Sequence, residues 1–523
     1  MTGNAYSRER GAGGGFFSAI VHGRQFLALA LLLYFALTIF TNQVVLRDYQ
    51  ASADEYDYLL SARMFATGRL SVPSPPESSF FNFAHAINDG RFYGKYPPGW
   101  PFFLMFGVLA GIPMAVNLLF GAMAICITYL IARDFFSVAV GRVAALLMAT
   151  SPFVIMYSAS YYSQPAALLL TALATYLYLK RPESESPLYM CALGLVIGVL
   201  FDTRPFDGAI VAALFSAHRI FVSMKSGGLP RAARAVSFAC IGFLLGASAM
   251  LAYDYAQTGD PFLMPFQKYD HFDRPGFDTG SPYLGKSIWW AVENNIIKNV
   301  IDLNLWIPLC FLFIALSLVL GRNDSWPRAL MLLVLLSFIA GYFFYAAPLF
   351  NSFGPRYFYP ASFAVFILAA DALCRLAKFQ KVGMALLAAF LVLNLGVLFI
   401  YSGFWNSKVL AMSEPFRQAS EVGLKDALVF LEPAPGSPYS SGDAPSWDLT
   451  RNGIDFNQGV LYASSKGNMN VLLMRAYPDR EFYLWKCESI LLEYHAFFDF
   501  WAASNVGCGF SRISPQYYGE SQD

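Results

Sequence analysis

The sequence predicts an α-helical membrane protein that crosses the bilayer many times. Hydrophobic residues make up 56% of its 523 residues and charged residues only 14%, and the mean hydropathy is +0.46. A soluble protein would carry about 25% charged residues, so a cytosolic fold is excluded. The net charge of +1 leaves no excess of lysine or arginine to neutralise phosphates, which argues against nucleic acid as a partner.

Long uncharged runs predict the individual helices, because a hydrocarbon core about 30 Å thick needs roughly 20 apolar residues of helix. Two long runs are interrupted by polar residues and proline, at Ser163–Pro165 and at Asp202–Pro205, and each is interpreted as two helices. The sequence therefore predicts about eleven transmembrane helices, near residues 26–46, 113–133, 143–160, 165–180, 187–202, 206–222, 235–254, 303–320, 329–348, 358–375 and 382–402.

Basic residues near the helix ends predict the orientation. They precede the first predicted helix and then occupy every second loop, as at Arg133 and Arg142. We expect these loops and the N-terminus in the cytoplasm and, with an odd number of helices, the C-terminus outside. The first apolar segment is too long for a cleaved signal peptide, and no small-residue cleavage site follows it.

This topology divides the chain into two parts. Residues 1–402 form a transmembrane domain with two exterior segments, 47–112 and 255–302, and surface amphipathic helices are expected in the first of these. Residues 403–523 form a small exterior domain of mixed α/β type. In that domain Asp426–Leu431 and Gly459–Tyr462 are predicted to be short buried strands between loops rich in proline, glycine and serine.

Cys487 and Cys508 are the two cysteines that this topology places outside. An oxidising compartment permits them to form a disulfide. The alternative is a pair of buried thiols, because the sequence does not give the separation of the two Cα atoms that a disulfide requires. No spacing of cysteine and histidine resembles a zinc site, so no metal is expected.

An acidic pair, Asp54 and Glu55, begins a predicted helix in the first exterior segment. Ser52 and Glu55 fit a capping box, so a structural role is one interpretation. The other is that Asp54 or Glu55 is a general base, because partial burial can raise the pKa of a carboxyl towards the working pH. Apolar residues at Tyr56, Leu59, Leu60 and Met64 predict a helix that lies on the membrane surface along one apolar stripe.

Three cations stand where they could contact a substrate phosphate. Lys95 precedes Tyr96-Pro97-Pro98, and its alternative role is to reach lipid phosphates. Arg204 and Arg356 stand at predicted exterior helix ends, where a planar guanidinium suits a phosphate. Their alternative roles are interfacial anchors or an ion pair, which for Arg204 would be with Asp202 or Asp207.

The second exterior loop contains a dense polar cluster that includes Lys268, Tyr269 and His271. Contact with a sugar, or ordering of this loop over a bound donor, is the expected role, because such lids exclude water.

These elements together resemble the GT-C glycosyltransferases, near the bacterial lipid A aminoarabinose transferases and the protein O-mannosyltransferases. The resemblance rests on Asp54–Glu55 after the first helix, the Lys95–Pro98 element, Thr258-Gly-Asp-Pro261 after the seventh helix, and the Gly354–Pro360 segment. That last segment contains Arg356 and Tyr357 and is similar to an Arg-Tyr-x-x-Pro element of the superfamily. The exterior C-terminal domain fits the same pattern.

The resemblance implies that a sugar is transferred from a polyprenyl-phosphate donor to an acceptor hydroxyl, with inversion at the anomeric carbon. The acceptor would be a glycan, a lipid or a protein, the site would face outward from a bacterial plasma membrane, and no cofactor would be needed. Asp54 falls on the family's catalytic aspartate and Glu55 on its partner. Lys95 falls near the phosphate-contacting lysine, although Tyr96 intervenes before the two prolines, and Tyr357 is expected to contact substrate.

Two other classes of function are open at this stage. A transporter or flippase for a lipid-linked saccharide would normally show related halves and ionisable groups at mid-membrane, and the sequence shows no duplication. A structural membrane protein whose tail binds a partner would leave the Asp54–Glu55 and Arg356–Tyr357 elements without a role.

Overall fold

The computed structural model describes most of the chain. The described residues are 25–50, 52–182, 186–226, 228–270, 276–277, 287–321, 325–345, 352–376, 380–432, 448–457, 459–495 and 500–518. His271 lies outside them, so its predicted role stays a prediction.

Helices form the bulk of the fold. In chain order they are α1 (Phe26–Phe40, continued by a π-helical segment Thr41–Val45), α2 (Ala53–Ala66), α3 (Gly99–Leu109), α4 (Met114–Phe135), α5 (Val138–Ala149), α6 (Pro152–Ser158), α7 (Gln164–Lys180), α8 (Pro187–Thr203), α9 (Pro205–Ser226), α10 (Gly228–Thr258), α11 (Pro265–Tyr269), α12 (Ile288–Ala291), α13 (Lys298–Trp306), α14 (Cys310–Leu320), α15 (Ser325–Phe343), α16 (Ser362–Leu376), α17 (Gln380–Glu421) and α18 (Asn470–Ala476).

Each of the eleven predicted membrane helices corresponds to one of these helices or to a bent pair. Within the described residues, seven helices are long and apolar enough to cross a membrane, and nine spans result if each bent pair is one span. The pairs are α5 with α6, bent by 59°, and the helical stretch Ile288–Trp306 with α14, bent by 87°. The α7 and α8 helices are shorter, at 17 residues each.

The last predicted membrane helix is longer than expected. Instead of ending near residue 402, α17 continues without a break to Glu421, with Pro415 inside it. Its last turns carry the C-terminal strand region. There Trp485 donates a hydrogen bond of 2.9 Å from its indole to Gln418 of α17, and Trp485 itself is fully buried.

The C-terminal region is built on a four-stranded sheet. Its strands are β4 (Ala427–Glu432), β5 (Leu461–Ser464), β6 (Glu481–Lys486) and β9 (Gly509–Ile513), in the order β5-β4-β6-β9. The β4 strand is parallel to both neighbours and β9 is antiparallel to β6, and a separate antiparallel pair is formed by β7 (Ser489–His495) and β8 (Phe500–Val506). A disulfide joins Cys487, in the connection from β6 to β7, to Cys508, in the connection from β8 to β9.

A second, smaller sheet forms in residues 47–112. It contains β1 (Val72–Pro73), β2 (Ala86–Asn88) and β3 (Arg91–Gly94), all antiparallel, in the order β1-β3-β2. Phe80 and Phe81 of this segment pack against Phe430 and Phe456 of the C-terminal region. We call the side of the helix bundle that carries both sheets the loop face.

A buried ionic cluster ties three membrane helices together. Asp371 of α16 accepts hydrogen bonds of 2.7 Å from Arg328 of α15, 2.7 Å from Ser317 of α14 and 2.9 Å from Arg375. Arg328 and Asp371 are almost completely buried, whereas the Arg375 side chain is 30% exposed. A buried charge that loses its partner is strongly destabilising, so these helices depend on the pair.

We predict that Asp371→Asn lowers the free energy of unfolding by about 3 to 5 kcal/mol, because it leaves the Arg328 charge buried without a counter-charge. Arg375→Gln is the control, because it removes a partly exposed charge and should cost about 1 kcal/mol or less. Denaturant unfolding of the purified proteins in detergent measures both. Equal losses for the two variants would contradict this account.

Candidate active site

The α2 helix carries the predicted catalytic pair and is the centre of the site. Ser52 caps it by accepting a hydrogen bond of 3.4 Å from the backbone N–H of Glu55, as the capping pattern indicates. The prediction of a surface helix with one apolar stripe is wrong, because every residue from Asp54 to Ala62 is buried. The α3 helix, β3 and the turn at Leu449–Arg451 all pack against α2 and cover it.

Asp54 is held by three side chains from distant parts of the chain. Arg356 forms an ion pair with its Oδ2, the Tyr96 hydroxyl donates a hydrogen bond of 2.5 Å to its Oδ1, and Nδ1 of His85 lies 3.2 Å from Oδ1. Burial by itself would raise the pKa of Asp54, but Arg356, with His85 and Tyr96, holds that pKa well below its usual range. The carboxylate is therefore ionised in this arrangement.

Arg356 is positioned by Tyr357, and one of its N–H donors makes no hydrogen bond to a described residue. Its guanidinium donates a hydrogen bond of 3.1 Å to the Tyr357 hydroxyl and lies 5.0 Å from the centre of the Tyr357 ring. Its Nε is buried and has no hydrogen-bond partner among the described residues. A buried donor without a partner costs free energy, so this N–H is available to an anionic ligand.

Arg204 also contacts Tyr357, with its guanidinium 5.8 Å from the centre of the Tyr357 ring. Of the two predicted ion-pair partners it uses Asp207, at 2.5 Å, and it also donates to the Ser163 hydroxyl at 3.2 Å. The structure thus brings both predicted arginines to Tyr357, although the Arg204 charge is already balanced by Asp207.

Lys95 is buried rather than extended towards lipid, with 5% of its surface exposed. Its ammonium lies 5.2 Å from the centre of the Tyr96 ring and 4.8 Å from that of Tyr269. Such contacts hold a cation in place by attraction to the ring faces. The interpretation of Lys95 as a lipid anchor therefore fails, and the residue belongs to the cluster around Asp54.

The two described residues of the polar cluster in the second loop also reach this region. Lys268 forms an ion pair with Asp89 and donates to the Tyr93 hydroxyl at 3.1 Å. The Tyr269 hydroxyl accepts a hydrogen bond of 3.2 Å from the backbone N–H of His85. Residues 268 and 269 therefore cover the β2–β3 hairpin that carries Lys95.

Asp57, which is not among the predicted site residues, fixes the Lys95–Tyr96 segment. Asp57 is fully buried, and its Oδ2 accepts a hydrogen bond of 3.0 Å from the backbone N–H of Tyr96. Gly94 lies so close that an added Cβ would stand 1.5 Å from the Asp57 Oδ1, so only glycine fits there. The signal in the sequence was an acid one helical turn after Asp54, together with a glycine immediately before Lys95.

His85 was also missed, and no pattern in the sequence marks it. Its backbone is in the left-handed region, with φ 78°, and its carbonyl accepts a hydrogen bond of 3.1 Å from the Lys95 N–H. Burial, and then the charge of Lys95, lower the pKa of His85, so its ring is neutral at pH 7. The ring therefore contacts Asp54 without adding a second full positive charge.

Comparison with solved structures identifies the fold of the chain that carries this site. The crystal structure of ArnT from Cupriavidus metallidurans bound to undecaprenyl phosphate is similar with a TM-score of 0.58 and 13% identity, over 94% of this chain and 98% of that chain. The apo structure of the same enzyme gives a TM-score of 0.56 and 13% identity, over 88% and 92% of the two chains. The chain has the GT-C glycosyltransferase fold.

Comparison by sequence matches a smaller part of the chain than comparison by structure. A profile of the dolichyl-phosphate-mannose-protein mannosyltransferase family matches residues 100–248, a segment that includes Arg204 but not Asp54, Lys95 or Arg356. No curated protein sequence is significantly similar to the chain. The GT-C resemblance predicted from the residues is confirmed, and so is a mainly helical fold with a small C-terminal strand region.

We predict that Asp57 makes stability depend on pH. Burial raises the pKa of Asp57 to about 7, although the hydrogen bond from the Tyr96 N–H and the charge of Lys95 oppose that rise. The folded state therefore binds a proton more tightly than the unfolded state, whose aspartate pKa is about 3.9. Between these two values the contribution of Asp57 to stability falls as pH rises, by at most about 1.4 kcal/mol per pH unit.

The measurement compares the wild type with Asp57→Asn, which keeps an acceptor for the Tyr96 N–H but does not titrate. From pH 4 to 7 the difference in unfolding free energy between them should move in favour of Asp57→Asn. A difference that is constant over this range would contradict a raised pKa.

Proposed function

We propose that this protein is a glycosyltransferase that moves a sugar from a polyprenyl-phosphate donor to a hydroxyl of a glycan, lipid or protein acceptor. The site would face outward from a bacterial plasma membrane, with the N-terminus in the cytoplasm. The observation that carries the proposal is a buried acid, Asp54, paired with a buried arginine that keeps an unused N–H. The whole-chain similarity in fold to ArnT, solved there with undecaprenyl phosphate, supports it.

Arg356 links donor binding to the activation of Asp54. A donor phosphate can accept hydrogen bonds from the free Nε of Arg356 and from the Lys95 ammonium, and charge-assisted contacts of this kind are strong. A guanidinium that turns towards the phosphate leaves Asp54 with less compensating charge. Because Asp54 is buried, its pKa then rises, and it becomes a better base only when the donor is present.

In the transfer step, one bond forms and one breaks at the anomeric carbon of the donor sugar. The acceptor oxygen forms a bond to the anomeric carbon while the bond from that carbon to the phosphate oxygen breaks, so the configuration inverts. The acceptor proton passes to Asp54. The polyprenyl phosphate leaves with the electron pair, and Arg356 and Lys95 stabilise its negative charge without donating a proton.

Glu55 suits a role in orientation better than a role as base. Its Oε1 accepts a hydrogen bond of 2.9 Å from the backbone N–H of Tyr161, and its Oε2 accepts one of 3.1 Å from the Ser52 hydroxyl. These bonds fix the first turn of α2 against the connection between α6 and α7. A carboxylate in that position holds Asp54 in place next to Arg356.

The first test of the proposal replaces the base. Asp54→Asn should abolish transfer, because an amide keeps the shape of the carboxyl but accepts no proton. Release of polyprenyl phosphate from a lipid-linked sugar, in the presence of acceptor, measures transfer and separates it from transport. Asp455→Asn, at an exposed ion pair with Arg69, is the matched control and should be fully active. Activity of Asp54→Asn within about tenfold of wild type, roughly 1.4 kcal/mol of barrier, would rule out this base.

The second test removes the cation. Arg356→Gln should weaken use of the donor about ten- to a hundredfold, the loss of a charge-assisted contact of about 1.5 to 3 kcal/mol, and Arg356→Lys should restore part of it. The same variant should raise the pKa of Asp54, so the rise of activity with pH should shift to higher pH. An unchanged pH profile with normal donor use would show that Arg356 is only structural.

A further inference from the structure

A second basic site lies outside the cluster around Asp54. A cavity of about 320 Å³ lies between the residues that follow α1, the last turns of α17 and the end of the turn at Leu449–Arg451. Its volume is at the lower end of the range for small-molecule sites. In the described part of the chain, none of its lining residues is bound to Asp54 or to Arg356.

Three arginines line this cavity and give it a net positive charge. Arg417 pairs with Glu421 at 2.6 Å, and both belong to the lining, whereas Arg451 pairs at 3.2 Å with Asp448, which does not. Arg47 makes no hydrogen bond and no ion pair with any described residue. Three guanidinium groups and one carboxylate give the lining a formal charge of about +2, which favours an anion over a neutral or cationic ligand.

The Arg451 guanidinium is held in place before any ligand binds. It lies 4.8 Å from the centre of the Tyr49 ring and 5.0 Å from that of Phe416, and because these two centres are only 6.3 Å apart it rests against both rings. Ser413 and Ser420 line the cavity from the same face of α17, and the Ser413 hydroxyl donates only a long hydrogen bond, of 3.4 Å, to the Leu410 carbonyl. A fixed guanidinium and nearby hydroxyl donors bind a phosphate at a low cost in conformational entropy.

The backbone at Arg47 is in an uncommon conformation. Arg47 and Asp48 both have positive φ angles, 54° and 52°, which residues other than glycine rarely adopt. Asp48 is held there by the Tyr161 hydroxyl, which donates to its carboxylate, and by its own N–H, which donates to the Asn42 carbonyl at 3.0 Å. Such conformations persist where the surrounding structure imposes them, and here the result is that Arg47 lines the cavity.

The length of the first membrane helix indicates that the cavity is near the lipid headgroups. Arg47 follows by two residues the apolar helical stretch Phe26–Val45, which is long enough to cross the bilayer. Phe40 and Val44, just before it, are more than half exposed, as expected for side chains that contact lipid. A helix of this length ends where the headgroups begin, so a lipid phosphate is within reach of Arg47.

We propose that the cavity lined by Arg47, Arg417 and Arg451 binds a phosphate group that is separate from the donor phosphate. The phosphate belongs either to an anionic lipid headgroup or to a soluble phosphate ester. A phosphate at this site joins the end of α1 to α17 and to the turn before β5. The proposal does not depend on the proposed glycosyltransferase activity, because it concerns binding alone.

The test uses the full-length protein in phosphatidylcholine nanodiscs, with and without phosphatidylglycerol. Bound lipid is counted by native mass spectrometry, and the thermal midpoint is followed with and without inorganic phosphate. The wild type should retain phosphatidylglycerol or be stabilised by phosphate, and Arg47→Gln should weaken that binding about tenfold or more. Arg47→Lys should restore part of it, and Arg512→Gln, at an exposed pair with Glu481, should behave as wild type.

The two sources of phosphate give different results. Retention of phosphatidylglycerol that inorganic phosphate does not displace identifies a lipid headgroup, whereas stabilisation by inorganic phosphate in phosphatidylcholine alone identifies a soluble ester. Equal binding by the wild type, Arg47→Gln and Arg451→Gln would overturn the proposal, as would no binding of either ligand by the wild type. Because Arg47 has no partner to lose among the described residues, Arg47→Gln should fold normally, and its thermal midpoint without ligand checks this.

Discussion

The ion pair between Asp54 and Arg356 is the interaction on which the rest of the loop face depends. Burying two charges is costly, and their attraction repays that cost only with good geometry and further hydrogen bonds. In the structure Tyr96 donates a hydrogen bond to Asp54, Arg356 donates one to Tyr357, and His85 lies 3.2 Å from the Asp54 carboxylate. To bring these groups together, the chain must fold the small sheet of residues 47–112 back over α2 and place the segment before α16 beside it. The packing of these segments on the loop face therefore provides the contacts that the buried ion pair requires.

Asp57, one helical turn after Asp54, is a second buried carboxyl that holds the chain against α2. It holds the backbone of Tyr96, and Gly94 leaves space for its carboxylate, so the strand that carries Lys95 is fixed directly to α2. The position of Lys95 is thus set by main-chain contacts and not by its flexible side chain alone. In the proposed reaction, a cation held in this way would stabilise the departing phosphate with little rearrangement.

The sequence predicts the parts of this site better than their contacts. Uncharged runs mark the membrane helices because the bilayer imposes their length, and Asp54 and Arg356 stand in recognisable elements. Their pairing could not be predicted, since 302 positions separate them and no local pattern records the contact. The bends after α5 and α13 fall at Pro152 and Pro308, where a helix loses a backbone N–H, although the predicted helices run through both prolines. The extension of α17 past Pro415 to Glu421 goes against the local pattern. His85 is a single histidine whose role arises only from its strained backbone and its neighbours.

The central claim is that a donor phosphate competes with Asp54 for Arg356, and a structure of the protein with polyprenyl phosphate bound tests it most directly. The account predicts that the Arg356 guanidinium contacts the phosphate, that its ion pair with Asp54 is broken or lengthened, and that Lys95 lies near the same phosphate. A complex in which the phosphate binds elsewhere, while the pair between Asp54 and Arg356 stays intact, would contradict it.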